Sequence, residues 1–232
     1  MANPLAERQH AGRAKPRLDA ETIIAAGLEI ASRPGATAVT VRELGVLLGA
    51  DPTAVYRHFR SKESLMKALL ERLFAMSLER VTAPREQWRS RLTQLASATL
   101  DLFTEYPAIG VDAIVLSTEG PAELEIIELI LDALSVAGLE GEDIVRHYAA
   151  QSAYVLSYAA GIARGLSVSD RDASGEYRTT WLGRSLPVTA ASHPNINALR
   201  EQLLALHDRE TYFLGVDSLL DAAEAAGARS KR

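Results

Sequence analysis

The hydrophobic and polar positions of this chain follow a helical period almost from end to end. Apolar residues recur at spacings of three and four, which places them on one face of an α-helix. The clearest stripes are Leu65, Leu69, Leu73 and Met76, and then Trp88, Leu92, Leu95, Leu102 and Tyr106. No segment has the two-residue alternation of a half-buried β-strand. The pattern therefore predicts an all-α protein.

Short polar side chains mark the starts of the first four predicted helices. Asp19, Asp51 and Ser61 each precede an apolar run and suit the N-cap position. Thr40 and Glu43 have the T-x-x-E spacing of a capping box. With stop signals at Pro34-Gly35 and Gly49, the helices are expected to span 19–33, 41–48, 52–58 and 62–80.

The second and third predicted helices are short and are separated by a turn that contains Gly49. This arrangement is typical of a helix-turn-helix, whose second helix enters the major groove of DNA. Residues 19–66 are therefore predicted to be a three-helix DNA-binding domain. The expected division of the chain begins with a disordered basic arm over 1–18 and this domain over 19–66. A larger helical domain over 67–226 and a disordered tail over 227–232 follow.

The larger domain is expected to contain a helix ending at Pro107 and a short apolar helix over 108–118. Longer helices are predicted over 121–137 and 142–168, an irregular loop over 169–194, and final helices over 195–207 and 208–227. We find no internal repeat and no flexible linker, so the helix that follows Ser61 is expected to connect the two domains directly.

Charge is distributed unevenly between the two domains. Residues 1–80 contain 12 Lys and Arg and 9 Asp and Glu, whereas residues 81–232 contain 13 and 21, which gives +3 and −8. A basic N-terminal part before an acidic body fits a nucleic-acid contact at one end, although a difference this small also arises by chance. The arm with Arg8, Arg13, Lys15 and Arg17 is either a solvated tail or an extension that contacts phosphates.

Cysteine is absent, which excludes disulfides, thiolate metal sites and cysteine nucleophiles. No apolar run reaches the roughly 18 residues that a bilayer requires, and the N-terminus has no apolar core of a secretory signal. We therefore expect a cytoplasmic protein with no membrane partner.

The stretch TVRELGVLLGADPTAVYRHFRSKESLMKALL, residues 40–70, resembles the DNA-binding signature of TetR-family transcriptional regulators. The features that match are T-x-R-x-L at the start, the glycine-containing turn, and Y-x-H-F followed by K and L. A weaker resemblance lies in DRETYFLGVDSLLDAAEA near the C-terminus, which is similar to the last helix of the tetracycline-repressor-like class. The chain differs from the family pattern at Ala50, Pro52 and Ala54.

The resemblance implies which side chains contact operator DNA. Tyr56 and His58 are expected at phosphates or bases, Lys62 at a phosphate, and Arg42 at the backbone or a base edge. The start of the second helix at Thr40 is expected to offer N–H groups to a phosphate. Candidates for base contact are Thr53, Ala54 and Arg57, since arginine pairs with guanine and a methyl group can touch thymine. The alternative is that Tyr56 only packs and that His58 is an ordinary surface histidine.

The resemblance also implies that residues 67–226 are a ligand-binding, regulatory and dimerisation domain. The protein would then be a homodimer with a small-molecule effector that is not identified. The dimer helices would be 143–168 and 208–226, where small residues such as Gly161 and Gly165 allow close approach between chains or, alternatively, within one chain. The candidate pocket residues, each of which is alternatively plain core, are Phe103, Tyr106, Ile114, Leu131, His147, Gln151, Tyr154, Tyr158 and Trp181. We predict no metal site and no resident cofactor.

Two other functions remain to be distinguished. An enzyme is disfavoured because G-x-S-x-G, H-E-x-x-H, G-x-G-x-x-G and P-loop motifs are absent, and we predict no catalytic residues. A DNA-binding regulator that is controlled by a protein partner or by its own concentration stays possible; a filled core would favour it, and an enclosed apolar cavity would favour ligand control. The expected function is a ligand-responsive repressor.

Overall fold

The computed structural model describes residues 18–168, 186 and 188–230, and within them the regular elements are all helical. In chain order they are α1 (Ala20–Ala31), α2 (Val41–Leu48), α3 (Pro52–Val55), α4 (Lys62–Glu79), α5 (Trp88–Glu105), α6 (Pro107–Gly110), α7 (Pro121–Ala137), α8 (Gly141–Val168), α9 (Pro194–Ala198), α10 (Arg200–Leu204) and α11 (Asp208–Ser230). The all-α prediction is confirmed.

Side-chain caps start the N-terminal helices as the sequence predicts. The Asp19 carboxylate accepts a hydrogen bond from the Thr22 N–H at 2.8 Å, and Ser61 accepts one from the Ser64 N–H at 3.0 Å. Thr40 and Glu43 form the complete capping box. These bonds satisfy backbone donors that the first turn of a helix leaves without partners.

Helix α3 is shorter than predicted, because it ends at Val55 and not at His58. Residues 56–58 continue as a turn in which each N–H bonds the carbonyl three residues earlier, at 3.0–3.3 Å. This tighter pattern is common at the ends of short helices. The side chains predicted for a helix end are therefore presented by a turn.

Helix α4 packs on both parts of the chain. Leu69 lies against Gly27 of α1 so closely that a Cβ at Gly27 would be 2.7 Å from its Cδ2. Further along, α4 packs against α5 and α7. The expected domain boundary after residue 66 thus falls inside one continuous helix. Its buried face is wider than the predicted stripe, because Met66, Leu70, Phe74 and Ser77 are also buried, whereas Met76 is half-buried.

Helices α5, α7, α8 and α11 form the body of the C-terminal part, with α8 in contact with the other three. The fully buried Tyr212 of α11 donates its hydroxyl to the Ala96 carbonyl of α5 at 2.9 Å, and its burial raises the pKa of the phenol. On α8, the Tyr154 hydroxyl lies where a Cβ at Gly215 would be, so a side chain at Gly215 would displace it.

Three expected segments differ in the structure. The helix predicted over 108–118 is only the one turn of α6, followed by turns. The helix predicted over 195–207 is divided into α9 and α10. The last helix, α11, continues to Ser230, so residues 227–230 of the expected disordered tail are helical.

The expected arm, apart from Leu18, and most of the expected loop 169–194 lie outside the described residues. Within the described ranges, no helix is both long and apolar enough to cross a membrane. Buried apolar side chains from α1 through α11 form one continuous cluster, so the two parts of the chain share a core.

Candidate DNA-binding surface and effector cavity

The turn between α2 and α3 depends on two glycines. Gly49 has a φ of 58°, a left-handed conformation that glycine adopts without strain. Gly45 allows α3 to approach, since a Cβ there would be 3.0 Å from the Ala50 carbonyl oxygen and 3.1 Å from Cγ of Pro52. The Ala50 N–H donates to the Gly45 carbonyl at 3.0 Å. The crossing of the two helices is therefore fixed by backbone contacts.

Asp51 holds the start of α3 by two hydrogen bonds from one residue. Its Oδ1 accepts from the Thr53 N–H at 2.8 Å and from the Thr53 hydroxyl at 2.6 Å. The hydroxyl bond, more than any other interaction, keeps the pKa of the Asp51 carboxyl below its usual value. Since the hydroxyl hydrogen of Thr53 is used inside the protein, this side chain is left as an acceptor toward a base.

The side chains predicted to contact DNA are on the surface. Ala54 is half-buried, and the other seven are exposed: Thr40, Arg42, Thr53, Tyr56, Arg57, His58 and Lys62. Between them, Val55 and Phe59 are buried against the core. Val55 anchors the short helix, and its neighbours are free to face outward.

The start of α2 is only partly available to a phosphate. The Thr40 hydroxyl donates to Glu43 at 2.6 Å, and the Thr40 N–H donates to the same carboxylate at 3.2 Å. Glu43 N–H in turn bonds Thr40 Oγ1. The N–H groups of Val41 and Arg42 have no acceptor among the described residues, so they are the donors that an anion would meet.

A cavity of about 80 Å³ lies between α4, α5, α7 and α8. Its wall is mostly aliphatic and aromatic, with four polar side chains besides the tyrosine. The lining residues are Phe74, Leu95, Ala96, Thr99, Glu123, Ile126, Ile127, Ile130, Tyr148, Gln151, Ser152, Val155 and Leu156. A mainly apolar space with a few polar groups is the usual form of a small-molecule site.

Of the nine predicted pocket residues, Gln151 lines this cavity. Phe103 is fully buried elsewhere in the core, Tyr106 and Leu131 are half-buried outside the lining, and Ile114 is exposed. Trp181 lies outside the described residues.

The remaining three predicted pocket residues lie on α8, away from this cavity. Tyr154 and Tyr158 pack with Tyr212, and the Tyr154 hydroxyl donates to backbone carbonyls of α11. Burial raises the pKa of Tyr154. The half-buried His147 bonds the Asp143 carbonyl through Nδ1 at 2.8 Å. Helix α8 thus has one side toward the cavity and another toward α11.

The cavity face of α8 was predicted only at Gln151, although the sequence contains a signal for the whole face. Tyr148, Gln151, Ser152, Val155 and Leu156 follow the i, i+3, i+4, i+7, i+8 spacing of one helix face. Of the other predicted residues on this helix, His147 and Tyr154 each lie one position before a lining residue, and Tyr158 lies beyond the lining.

Glu71 of α4 connects this helix to the start of α7. Its carboxylate accepts hydrogen bonds from the Ala122 N–H at 2.5 Å and from the Thr118 hydroxyl at 2.6 Å. It therefore caps a helix whose own N-cap residue, Gly120, has no side chain to do so. A Cβ at Gly120 would be 2.3 Å from Cδ of Glu71, so glycine is required for this approach.

The cavity and the Glu71 cap share parts of the same two helices. Phe74, one turn after Glu71 on α4, lines the cavity, and so does Glu123 in the first turn of α7. Any molecule that separates α4 from α7 at the cavity would therefore strain the cap. In the described residues, no group of three or more histidine or carboxylate side chains is placed to hold a metal ion.

Comparison with known proteins defines the class of this fold. The model of the bacterial regulatory proteins, tetR family, matches residues 23–69, and that of the tetracyclin repressor-like C-terminal domain matches residues 82–213. An exposed helix-turn-helix followed by a helical domain is the architecture that these two models describe. The chain belongs to the TetR family.

The curated relatives include proteins described as a transcriptional regulator and as a tetracycline repressor. An HTH-type transcriptional regulator of Saccharopolyspora erythraea is 27% identical over 147 residues, which cover 62% of this chain and 61% of that protein. The Escherichia coli tetracycline repressor protein class C is 26% identical over 178 residues, or 76% of this chain and 80% of the repressor. The match thus spans about six-tenths of the length of the first relative.

Solved structures share the fold over most of the chain. ActR of Streptomyces coelicolor in complex with actinorhodin has a TM-score of 0.71 at 18% identity, and covers 90% of this chain and 98% of its own. A TetR variant of Acinetobacter baumannii in complex with minocycline has a TM-score of 0.65 at 22% identity. The match covers 90% of this chain and 94% of that variant. At these identities the likeness supports the fold.

Proposed function

We propose that this chain is a homodimeric repressor that binds an operator through α2, α3 and the following turn, and releases it when a small molecule occupies the cavity. One observation carries the proposal: α4 begins directly after the DNA-facing turn and contributes Phe74 to the cavity wall. A single rigid element thus joins the two sites that a ligand-controlled regulator must couple.

The DNA contacts follow from the exposed side chains. Arg42 and Lys62 stand near the starts of α2 and α4 and would contact phosphates, with Arg57 available for a guanine edge. Tyr56 and His58 are presented by the turn after α3. Ala54, half-buried, leaves only its methyl group for a thymine.

Coupling requires that the ligand bind two arrangements of the protein with different affinity. A molecule that enters the cavity pushes on Phe74 and on the α7 side chains opposite it. The response is a shift of α4 relative to α7, which the Glu71 cap resists. Because Lys62 starts α4, the same shift moves the DNA-facing turn.

A dimer is part of the proposal, since one short recognition helix reads only a few base pairs and paired modules read two half-sites. Leu214 on α11 is 68% exposed, and a Cβ at Gly161 on α8 would meet nothing within 4 Å. By contrast Ala159, Ala160 and Ala163 are buried within the chain, which supports close packing inside one protomer for those three. The expected cytoplasmic location remains part of the proposal, because the partner is DNA.

The test is selection of genomic fragments by the purified protein, followed by release with cell extracts. We expect one or a few fragments to be enriched. Enrichment should be lost with Tyr56→Ala, which removes the aromatic ring, and retained with Tyr56→Phe, which keeps the ring for stacking. An apolar fraction of the extract should then release the fragment. Enrichment that no extract affects would favour the alternative of control by a protein partner or by concentration. No enrichment at low salt would contradict the proposal.

A further inference from the structure

The cavity wall has an unusual balance of polar groups. Among the described residues that line it, none is a lysine, arginine or histidine. The acidic side chain is Glu123, at the start of α7, and the uncharged polar ones come from α5 and α8. A wall of this kind disfavours a ligand with a negative charge, since an unpaired buried anion has no compensating cation.

Gln151 is the polar group that a ligand would meet. The residue is 5% exposed, lies on the cavity face of α8, and has no hydrogen bond from its amide to any described residue. An amide that faces the cavity offers both a donor and an acceptor to a ligand. The nearby Thr99 already donates its hydroxyl to the Leu95 carbonyl at 2.9 Å, so it is satisfied within α5.

Glu123 is also engaged, which weakens its attraction for a cation. Its carboxylate accepts from the Glu119 N–H at 2.7 Å and from the Ser117 hydroxyl at 2.9 Å. These donors already stabilise the charge. The carboxylate still repels an anion that enters beside it.

We infer that the effector is an uncharged, mainly apolar molecule with a hydrogen-bonding group that pairs with the Gln151 amide. The inference rests on the proposed function, because it assigns the chemical class of ligand for the same cavity. At about 80 Å³ the cavity is smaller than the roughly 150 Å³ that holds benzene in an apolar core, so a ring system enters it by displacing side chains. Among the described lining residues, no side chain carries a positive charge that would pair with a carboxylate, phosphate or sulfate.

The test uses three probes that share one ring system: 1-naphthol, naphthalene and 1-naphthoate. Equilibrium dialysis of the full-length protein without DNA gives the affinity for each. We expect 1-naphthol and naphthalene to bind, and 1-naphthoate to bind at least about a hundredfold more weakly. Gln151→Leu should lower the ratio of 1-naphthol to naphthalene affinity about tenfold, because the hydrogen bond to the amide is lost.

His147→Gln is the matched control, because it alters the same helix one turn away, outside the cavity lining, and should leave all three affinities unchanged. A single cooperative thermal unfolding transition of Gln151→Leu shows that the variant folds.

Three results would overturn the inference. They are 1-naphthoate binding as tightly as 1-naphthol, an affinity ratio unchanged in Gln151→Leu, and no binding of any probe. Since the dialysis contains no DNA, its failure is separate from a failure of the proposed function. A protein that selects an operator yet prefers 1-naphthoate would retain the proposed function and lose the uncharged effector.

Discussion

At the scale of single residues, short polar side chains fix where the DNA-binding helices begin. Asp19, Thr40, Asp51 and Ser61 each bond an N–H of the first helical turn. Helices as short as α2 and α3 gain little from their own backbone hydrogen bonds, because nucleation is costly. Their position therefore depends on caps and on the anchoring of a few buried side chains such as Val55.

Thr40→Ala removes the capping box of α2. We expect a loss of about 1 kcal/mol in the free energy of unfolding, and a fall in melting temperature of roughly 2–4 °C, because an N-cap hydroxyl has this typical value. Thermal unfolding followed by circular dichroism measures it. Thr40→Ser keeps the hydroxyl and should stay within about 1 °C of the parent. Equal losses in both variants would show that the cap does not stabilise α2.

These residue-scale features were predictable because capping is a local rule. The spacing of Thr40 and Glu43 is enough to predict the capping box. Gly49 likewise predicts the left-handed residue that follows α2. The cavity residues were predicted less well. Tyr154 and Gln151 are both polar residues in one long helix, and only the packing of α11 against α8 determines which of them faces the cavity.

At the scale of elements, α4 links the DNA-facing turn to the cavity, and Glu71 joins α4 to α7 by capping it. A carboxylate that receives backbone N–H groups at a helix N-terminus is favoured by both hydrogen bonding and the helix dipole. No local rule points to such a cap, because Glu71 and Ala122 are far apart in sequence. A glycine at position 120, where a Cβ would collide with the Glu71 carboxylate, is the one local feature that agrees with this close approach.

Glu71→Gln should loosen the contact between α4 and α7. We expect the melting temperature to fall by roughly 2–6 °C, since a charge-assisted hydrogen bond contributes about 1.5 kcal/mol or more. Hydrogen exchange of the segment 118–126 should accelerate, which mass spectrometry measures. Glu125→Gln is the matched control on the exposed face of α7. If exchange in this segment is the same in both variants, Glu71 does not hold the start of α7.

A second contact between elements predicts a pH dependence. Asp132 of α7 accepts from Arg85 at 2.6 Å and from Arg91 at 2.9 Å, and the hydrogen bond from Arg85 is the largest cause of its lowered pKa. A lowered folded-state pKa stabilises the protein above the ordinary value of 3.8, and this stabilisation is lost as the pH falls below it.

Asp132→Asn should therefore lower the melting temperature by a few degrees at pH 7, and the difference from the parent should shrink as the pH falls below 3.8 toward the lowered pKa of the folded protein. Thermal unfolding between about pH 2.5 and pH 7 gives the comparison. Glu128→Gln, on the exposed side of the same helix, serves as control. A difference that persists at low pH would indicate that packing, and not charge, is responsible.

At the scale of the whole molecule, the proposed dimer brings two DNA-binding domains onto one operator. The surface of α8 and α11 is the region that the family resemblance assigns to this contact. Leu214 stands out there as a large apolar side chain with most of its area in solvent. The all-α fold was predictable from periodicity, but the outward face of α11 was not, since it follows from how α8 and α5 cover the opposite face.

If α11 forms the proposed dimer contact, Leu214→Arg should convert the dimer to a monomer, because it would place a charge on an apolar surface between the two chains. Light scattering after size exclusion would then report about 25.1 kDa in place of twice that mass. Leu199→Arg, also at an exposed leucine but outside α8 and α11, should leave the dimer intact. A parent protein that is monomeric at micromolar concentration would contradict this part of the account.

The most direct measurement is the salt dependence of operator binding, by fluorescence anisotropy, for the parent, Lys62→Ala and Arg80→Ala. These two residues lie at opposite ends of α4, and Arg80 serves as the control. We expect sequence-specific affinity that falls steeply with salt. Lys62→Ala should weaken binding about tenfold and reduce the slope of log affinity against log salt by about 1. Identical behaviour of the two variants, or binding without sequence preference, would contradict the account.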